Sequence, residues 1–296
     1  MRIGILSRGK ENYSVKRLHK AANRMGHVVT LMDPFDCYLH IGCKGHAIYH
    51  RRRPVNNLDV VIPRLGAATA RYGLAVIEHF EWVGVPLVNS ARAIDDARNK
   101  FRSLRILASH DIPVPPTFTI GSTEFLEQSV RRTGNYPFIA KPFEGTQGKG
   151  IMLLDTPRSL SSTIGAMCDL YRDYIIQPFI EEAKGRDIRA LVIGGELICA
   201  MQRIARGSEF RANIHRGAVG IMIELKTEYA EIALKAAAAM QLGISGVDIL
   251  ATQKGPVVIE VNPSPGFEGL EAATGMDIAR KMIKYAVACA RAEKSC

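Results

Sequence analysis

The chain has 296 residues, with 39 Lys and Arg against 29 Asp and Glu and a formal net charge of +10. At 47% hydrophobic and 23% charged residues it has the composition of a globular protein, which excludes a mainly disordered chain. No apolar run approaches the ~18 residues that span a bilayer, and the stretch Met1 to Arg8 turns charged too early for an export-signal core. No membrane partner and a cytoplasmic location are expected.

The N-terminal part alternates between strand and helix patterns. Residues 2–7 form a short apolar run, and Val15, Leu18, Ala22 and Met25 then recur at helical spacing until Gly26 stops the helix. Residues 28–33 and 59–64 read as strands, 69–82 as a helix and 85–89 as another strand, which together make a small parallel α/β unit. A helix capped at Asn89-Ser90 is expected to continue through Lys100 to about His110. The stiff segment Asp111-Ile112-Pro113-Val114-Pro115-Pro116 marks a boundary. A second unit follows: strand 117–120, helix 123–133, strand 138–141, glycine-rich loop 144–150, strand 151–155, helix 157–170 and strand 174–180. A third begins near Asp187, with strands at 188–193 and 197–204, a helix at 227–242, a hairpin over 246–262 and a last helix at about 275–292. The expected division is 1–111, 112–186 and 187–296.

Four stretches carry chemistry. In Lys141-Pro142-Phe143-Glu144-Gly145-Thr146-Gln147-Gly148-Lys149-Gly150 a strand delivers a lysine to a loop of three glycines. Glycines let backbone N–H groups turn toward a phosphate. The loop is not a P-loop, because Gly150 follows Lys149 where Ser or Thr is required, and a plain flexible hairpin is the other reading. In Gly246-Val247-Asp248-Ile249-Leu250 and Val258-Ile259-Glu260-Val261-Asn262, a hairpin centred on Lys254 sets Asp248 opposite Glu260. Glu260 and Asn262 then share a face. Facing carboxylates repel, and a hard cation such as Mg²⁺ resolves this; one carboxylate turning to solvent is the alternative. The segment Gln177-Pro178-Phe179-Ile180-Glu181, continuing to Gly185-Arg186-Asp187-Ile188-Arg189, is either a linker or a hinge that reads an adenine edge and a ribose. Finally, Glu209-Phe210-Arg211-Ala212-Asn213-Ile214-His215-Arg216-Gly217 is either a solvated basic loop or a binder of carboxylate and phosphate.

Other classes find less support. Cys37, His40, Cys43 and His46 have zinc-ligand chemistry, but their spacing across Gly42 and Gly45 is not a knuckle, and a polar hairpin is expected. The six cysteines form no C-x-x-C pair and read as reduced thiols. The positive balance favours an anionic partner. With 7% aromatics and a single Trp, Trp82, the chain lacks the aromatic and basic stripe of single-strand binders, and no direct nucleic-acid ligand is expected. There is no G-x-S-x-G elbow and no H-R-D kinase signature.

These motifs, in this order and over essentially the whole chain, resemble the ATP-grasp superfamily and more closely the RimK-type α-L-glutamate ligases. Ile62-Pro63-Arg64-Leu65-Gly66 is similar to the family's first-domain motif, and Asp96-Ala97-Arg98-Asn99-Lys100 to its first phosphate-lysine helix. Pro263 and Lys149 depart from the common pattern without removing a ligand atom. The resemblance implies an α/β (α+β) three-domain ATP-grasp fold with an N-terminal Rossmann-like pre-ATP-grasp domain and ATP between the second and third domains. It implies that Lys100 and Lys141 hold phosphates and that Gly145, Thr146, Gln147, Gly148 and Gly150 close over them. Pro178, Phe179 and Ile180 would read adenine, Asp187 the ribose, and Arg211, Ala212 and Asn213 would complete the nucleotide site. Asp248, Glu260 and Asn262 would bind two Mg²⁺ or Mn²⁺, and Arg189, Arg211 and Arg216 would stabilise the transferring phosphoryl group.

The implied reaction is addition of glutamate by α-peptide bonds, through an acyl phosphate, to the C-terminal tail of small-subunit ribosomal protein six. A homo-oligomer is also expected. The alternative acceptor is a small molecule or amino carrier, as in cofactor glutamate ligases, lysine-biosynthesis ligases or free poly-α-glutamate synthesis. A nucleotide-binding regulator without catalysis is a different class, told apart by the absence of ADP release.

Overall fold

The computed structural model describes the chain apart from Lys44, residues 67–69, Thr146, Gln147, Tyr171, Ser208, His215, Arg216 and residues 294–296. Its first sheet is parallel, in the order β2-β1-β6, from β1 (Arg2–Leu6), β2 (Val28–Met32) and β6 (Val60–Pro63). Helix α1 (Tyr13–Arg24) turns Val15, Leu18, Ala21 and Ala22 onto one buried face, the 3.6-residue pattern seen in the sequence. Residues 85–89 do not extend the sheet as a strand. Leu87 makes one isolated bridge to Val61: the Val61 N–H donates to the Pro86 carbonyl at 2.8 Å and the Val88 N–H to the Val61 carbonyl at 3.2 Å, but Pro86 has no N–H with which to extend the ladder. The polar hairpin is present as β3 (Cys37–Gly42) and β4 (Gly45–His50), and β5 (Arg53–Pro54) joins its edge.

The helix expected over 90–110 is two helices, α3 (Ala91–Arg98) and α4 (Lys100–Ser109); α2 (Ala70–Trp82) precedes them. Asn99 breaks them with an extended ψ of 105° and caps α4, its side chain accepting from the Arg102 N–H at 2.9 Å. The break re-aims Lys100, whose backbone N–H donates to the Phe143 carbonyl at 2.8 Å. Residues 117–120 likewise give only a bridge, Phe118 to Ile176, just after Pro113, Pro115 and Pro116 restrict the chain.

The middle of the chain is an antiparallel sheet, β8-β7-β9, from β7 (Phe138–Pro142), β8 (Met152–Leu154) and β9 (Tyr174–Pro178). Phe138, Ala140, Leu154 and Ile176 pack there on Leu160 and Ile164 of α6 (Pro157–Asp169). The helix expected at 123–133 starts as a 3₁₀ turn, Thr123–Phe125, before α5 (Leu126–Thr133).

The largest sheet is antiparallel, in the order β12-β11-β10-β13-β14. It comprises β10 (Arg186–Ile193), β11 (Glu196–Ile204), β12 (Val219–Ile223), β13 (Ile244–Thr252) and β14 (Gly255–Asn262). Sequence patterning missed β12 and α8 (Glu268–Thr274). The second is cut from the final helix, α9 (Ile278–Glu293), by Gly275 at a φ of 68°.

One strand shows how this sheet places chemistry. Ile188, Ala190 and Val192 of β10 pack with α7 (Thr227–Ala239). On the alternate face, Leu191 and Ile193 pack with Leu18 of α1 and Met282 of α9. Asp187 and Arg189 continue that second face beyond the apolar packing. Burial on one side and charge on the other therefore come from the same period of two. Among the described residues, no helix is long and apolar enough to cross a membrane.

Candidate active site

The charged face of the large sheet is set by strand register. Arg189 lies opposite Asp248, and Asp187 opposite Arg203. The Arg189 guanidinium grips the Asp248 carboxylate through two bonds, Nε to Oδ1 and Nη2 to Oδ2, the latter 2.6 Å. Arg203 grips Asp187 at 2.5 and 2.8 Å and also reaches Asp248 Oδ2 at 2.8 Å. The four side chains make a charge-balanced, buried network. Arg189 and Arg203 hold the Asp248 carboxyl low, while burial, with the neighbouring Asp248 charge, pushes Asp187 up to about 6 against the pull of Arg203. Sequence reading missed Arg203, since nothing local marks a residue whose partners lie 16 and 45 positions away.

Asp248 does lie opposite Glu260. The hairpin itself turns half a residue earlier than its composition suggests, since Thr252 faces Gly255. A bulge at Ile259 restores the pairing. It also lets Val258 and Val261 both face α7 while Glu260 and Asn262 face the cavity. Without that extra residue the hydrophobic and the functional pattern of β14 could not both be met. Gly246 has its own steric reason: an added Cβ would lie 2.9 Å from Pro265 Cβ and 3.0 Å from Arg189 Cδ.

The opposite wall carries two lysines, Lys100 and Lys141, that make no ion pair among the described residues. Lys141 Nζ donates to Gln177 Oε1 at 2.8 Å; Gln177 is buried and donates in turn to the Thr117 hydroxyl at 2.9 Å. Burial, then the nearby Lys100 charge, pull the Lys141 pKa down to about 8. Lys100 Nζ donates to the Gly145 carbonyl at 3.1 Å. Gly148 and Gly150 have φ of 68° and 73°, a backbone that favours glycine. Arg211 ties this loop down, donating to the Gly148 carbonyl at 3.2 Å and to Glu209 through two 2.8 Å bonds.

At the hinge, Phe179 uses its N–H on the Pro137 carbonyl (2.8 Å), and Ile180 uses its carbonyl on the Ala183 N–H (3.1 Å). What they have left is one acceptor, the Phe179 carbonyl, and one donor, the Ile180 N–H, the pair that an adenine edge needs. Pro178, with no N–H, has only a carbonyl to give.

One cavity of about 830 Å³ joins these walls. Lys100, Lys141, Gly145, Gly148, Phe179, Ile180, Asp187, Arg189, Arg203, Arg211, Ala212, Asn213, Asp248, Glu260 and Asn262 all line it. Pro178 lines it too, while Gly150 sits at the loop's end against Pro142. Thr146, Gln147 and Arg216 lie outside the described residues.

Similarity to known proteins agrees with this geometry. Residues 97–286 match the RimK-like ATP-grasp domain, and residues 1–94 match the RimK PreATP-grasp domain. The chain is 44% identical over 285 residues to a probable alpha-L-glutamate ligase of an Enterobacter species, covering 96% of this chain and 95% of that relative. It is 43% identical, with the same coverage, to the ribosomal protein bS6–L-glutamate ligase of Escherichia fergusonii.

The chain belongs to the RimK-like ATP-grasp family. It is an ATP-dependent ligase. The fold is shared with the ATP-grasp ligase PsnB complexed with minimal precursor, at a TM-score of 0.77 and 21% identity over 97% of this chain and 98% of that one. It is shared again with PsnB bound to minimal precursor, Mg and ADP, at 0.73 and 20% over 98% of each chain.

The ligase's own donor set is suited to magnesium with a nucleotide. Among the described residues no three His, Cys, Asp or Glu side chains form a metal cluster, so an all-protein cage is not built. Mg²⁺ usually takes one or two carboxylates plus waters and phosphates. The Glu260 side chain lines the cavity with no hydrogen bond or ion pair among the described residues. Asn262 Oδ1 accepts from the Ser264 N–H at 2.9 Å and keeps a second lone pair.

Proposed function

We propose that this ligase adds glutamate by α-peptide bonds to the C-terminus of ribosomal protein bS6, in the cytoplasm, with ATP and two Mg²⁺ or Mn²⁺. The observation that carries the chemistry is the single cavity whose one wall holds Lys100 and Lys141, which make no ion pair among the described residues, and whose other wall holds Glu260 beside a charge-balanced ion network. The acceptor is taken from the name of the Escherichia fergusonii relative.

In this reading Lys100 and Lys141 bind phosphate oxygens, and Gly145 to Gly150 cover them. The Phe179 carbonyl and Ile180 N–H take the adenine edge beside Pro178, Asp187 faces the ribose, and Ala212 and Asn213 border the nucleotide. Glu260, Asn262 and the remaining lone pairs of Asp248 would hold the metal ions, which when bound neutralise developing phosphate charge. Arg189, Arg211 and Arg216 would stabilise the phosphoryl group as it moves to the acceptor carboxylate. The glutamate amine then attacks that activated carboxylate and phosphate leaves. Covering the site excludes water that would hydrolyse the acyl phosphate. The division at 111/112 and 186/187 and a homo-oligomeric state belong to the same proposal, with no nucleic-acid ligand.

The test is the intact mass of bS6 after incubation with the enzyme, ATP, Mg²⁺ and glutamate. A ladder spaced by one glutamyl residue is the expected result. ADP release with a different carboxylate acceptor, and no ladder on bS6, would move the acceptor to a small molecule or amino carrier. Light scattering reads the oligomeric state.

A further inference from the structure

One corner of the cavity lies where the N-terminal unit meets the loop after β14. Arg64 follows β6 directly, with its backbone N–H held by the Leu6 carbonyl at 2.8 Å. Its side chain crosses to that loop: Nη2 donates to the Pro265 carbonyl at 2.8 Å, and Cζ lies 5.9 Å from the centroid of the fully buried Phe267 ring. The Ser264 hydroxyl donates back to the Pro63 carbonyl at 3.3 Å, so the two segments are tied at neighbouring points. A guanidinium has five N–H donors. Among the described residues one side-chain hydrogen bond engages this one, and no carboxylate pairs with it. Burial without a counter-charge pulls its pKa below the usual arginine value, yet it stays a cation at neutral pH. A fixed, partly desolvated fork that lines a cavity and keeps donors to spare is suited to a carboxylate.

Position says whose carboxylate. The Pro265 that Arg64 holds packs at Gly246 beside Arg189, so Arg64 stands next to the ion network. The hinge and Lys141 belong instead to the β8-β7-β9 unit. The first turn of α1 lines the same corner, and Tyr13 meets the Phe267 ring edge-on at 6.2 Å. That helix start has no side-chain cap and no acidic residue in its first turn, which adds positive potential. The acceptor's terminal carboxylate must sit where phosphoryl transfer occurs, at Arg189 and Glu260, and it loses its charge on activation. The carboxylates that stay charged throughout, and that must be anchored for the amine to aim, are those of the incoming amino acid.

We propose that Arg64 binds a carboxylate of the attacking glutamate and so orients its amine toward the activated acceptor; this rests on the ligase reading. The experiment is initial-rate kinetics of wild type, R64Q and R64K with glutamate, ATP and bS6 varied in turn. In parallel, glutamate is titrated calorimetrically into each protein saturated with a non-hydrolysable ATP analogue and Mg²⁺. R64Q is expected to raise the glutamate KM and Kd about ten- to hundredfold, the worth of a charge-assisted pair, and the ATP KM by less than about threefold. R64K keeps the charge but loses the fork, and recovers part of the loss. Should R64Q not fold, a glutamate KM in R64K that rises more than its ATP KM supports the proposal equally. An unchanged glutamate KM, or a rise confined to bS6, in an active enzyme overturns this proposal and leaves the ligase reading standing. A wild type that consumes no ATP with glutamate and any acceptor overturns both.

Discussion

The two walls of the cavity carry charge in opposite ways. On the large sheet, Asp187, Arg189, Arg203 and Asp248 neutralise one another through close hydrogen-bonded pairs. On the facing wall, Lys100 and Lys141 rest on neutral oxygens, a glycine carbonyl and a glutamine amide. The ion network of the first wall is charge-balanced without a ligand. The second is electrostatically unfinished, and a polyphosphate is what finishes it. The difference separates residues whose loss breaks the fold from residues whose loss breaks binding.

The largest expected effect lies on the balanced wall. Arg203→Ala leaves two buried carboxylates against one arginine and is expected to cost about 3–5 kcal/mol, measured by urea unfolding. A cost below about 1 kcal/mol would mean that the network is not a folding element. Asp248→Ala is expected to behave the same way, so its loss of activity will be mixed with loss of fold. Glu260→Gln draws the contrast. Having no partner to orphan, it should leave the thermal midpoint within a few degrees and lower kcat about 10²- to 10³-fold, read as ADP release at saturating Mg²⁺ and ATP.

The unfinished wall should answer to pH. Lys141 carries its charge below about 8, so ATP affinity is expected to fall roughly tenfold from pH 7 to 9, a limb that Lys141→Arg should flatten. Stability of the nucleotide-free protein runs the other way. A lysine lowered from 10.5 to about 8 contributes stability that is full above 10.5 and lost as pH falls through about 8. Calorimetric ATP titrations and denaturant curves over that range test both signs. The smallest effect is expected at Asn99→Ala, which removes the cap that breaks α3 from α4. It should cost about 1 kcal/mol and raise the ATP KM a few-fold as Lys100 loses its aim.

Much of this was legible in one dimension. The parallel β2-β1-β6 sheet follows from short apolar runs alternating with a 3.6-residue stripe. The Asp248 and Glu260 pairing follows from a period of two on either side of a turn. The chain's proline-rich segments were less transparent: Pro86 and the prolines at 113, 115 and 116 turn apolar, strand-like stretches into single bridges, because a residue without an N–H cannot continue a ladder. Asn99 was equally hidden, since a helical stripe passes through it and only its cap geometry reveals the break.

By itself, then, the sequence determined the order of elements, the lysine that opens on a glycine loop, and the acidic pair on a hairpin, because each is written in neighbouring residues. Tertiary structure alone decided that Arg203 balances Asp187 and Asp248. It alone decided that a bulge at Ile259 reconciles a buried face with a functional one, and that Arg64 from the first sheet reaches the loop of the last. Those contacts join positions 16 to 201 residues apart. Register and packing between elements set them, and no local spacing encodes either.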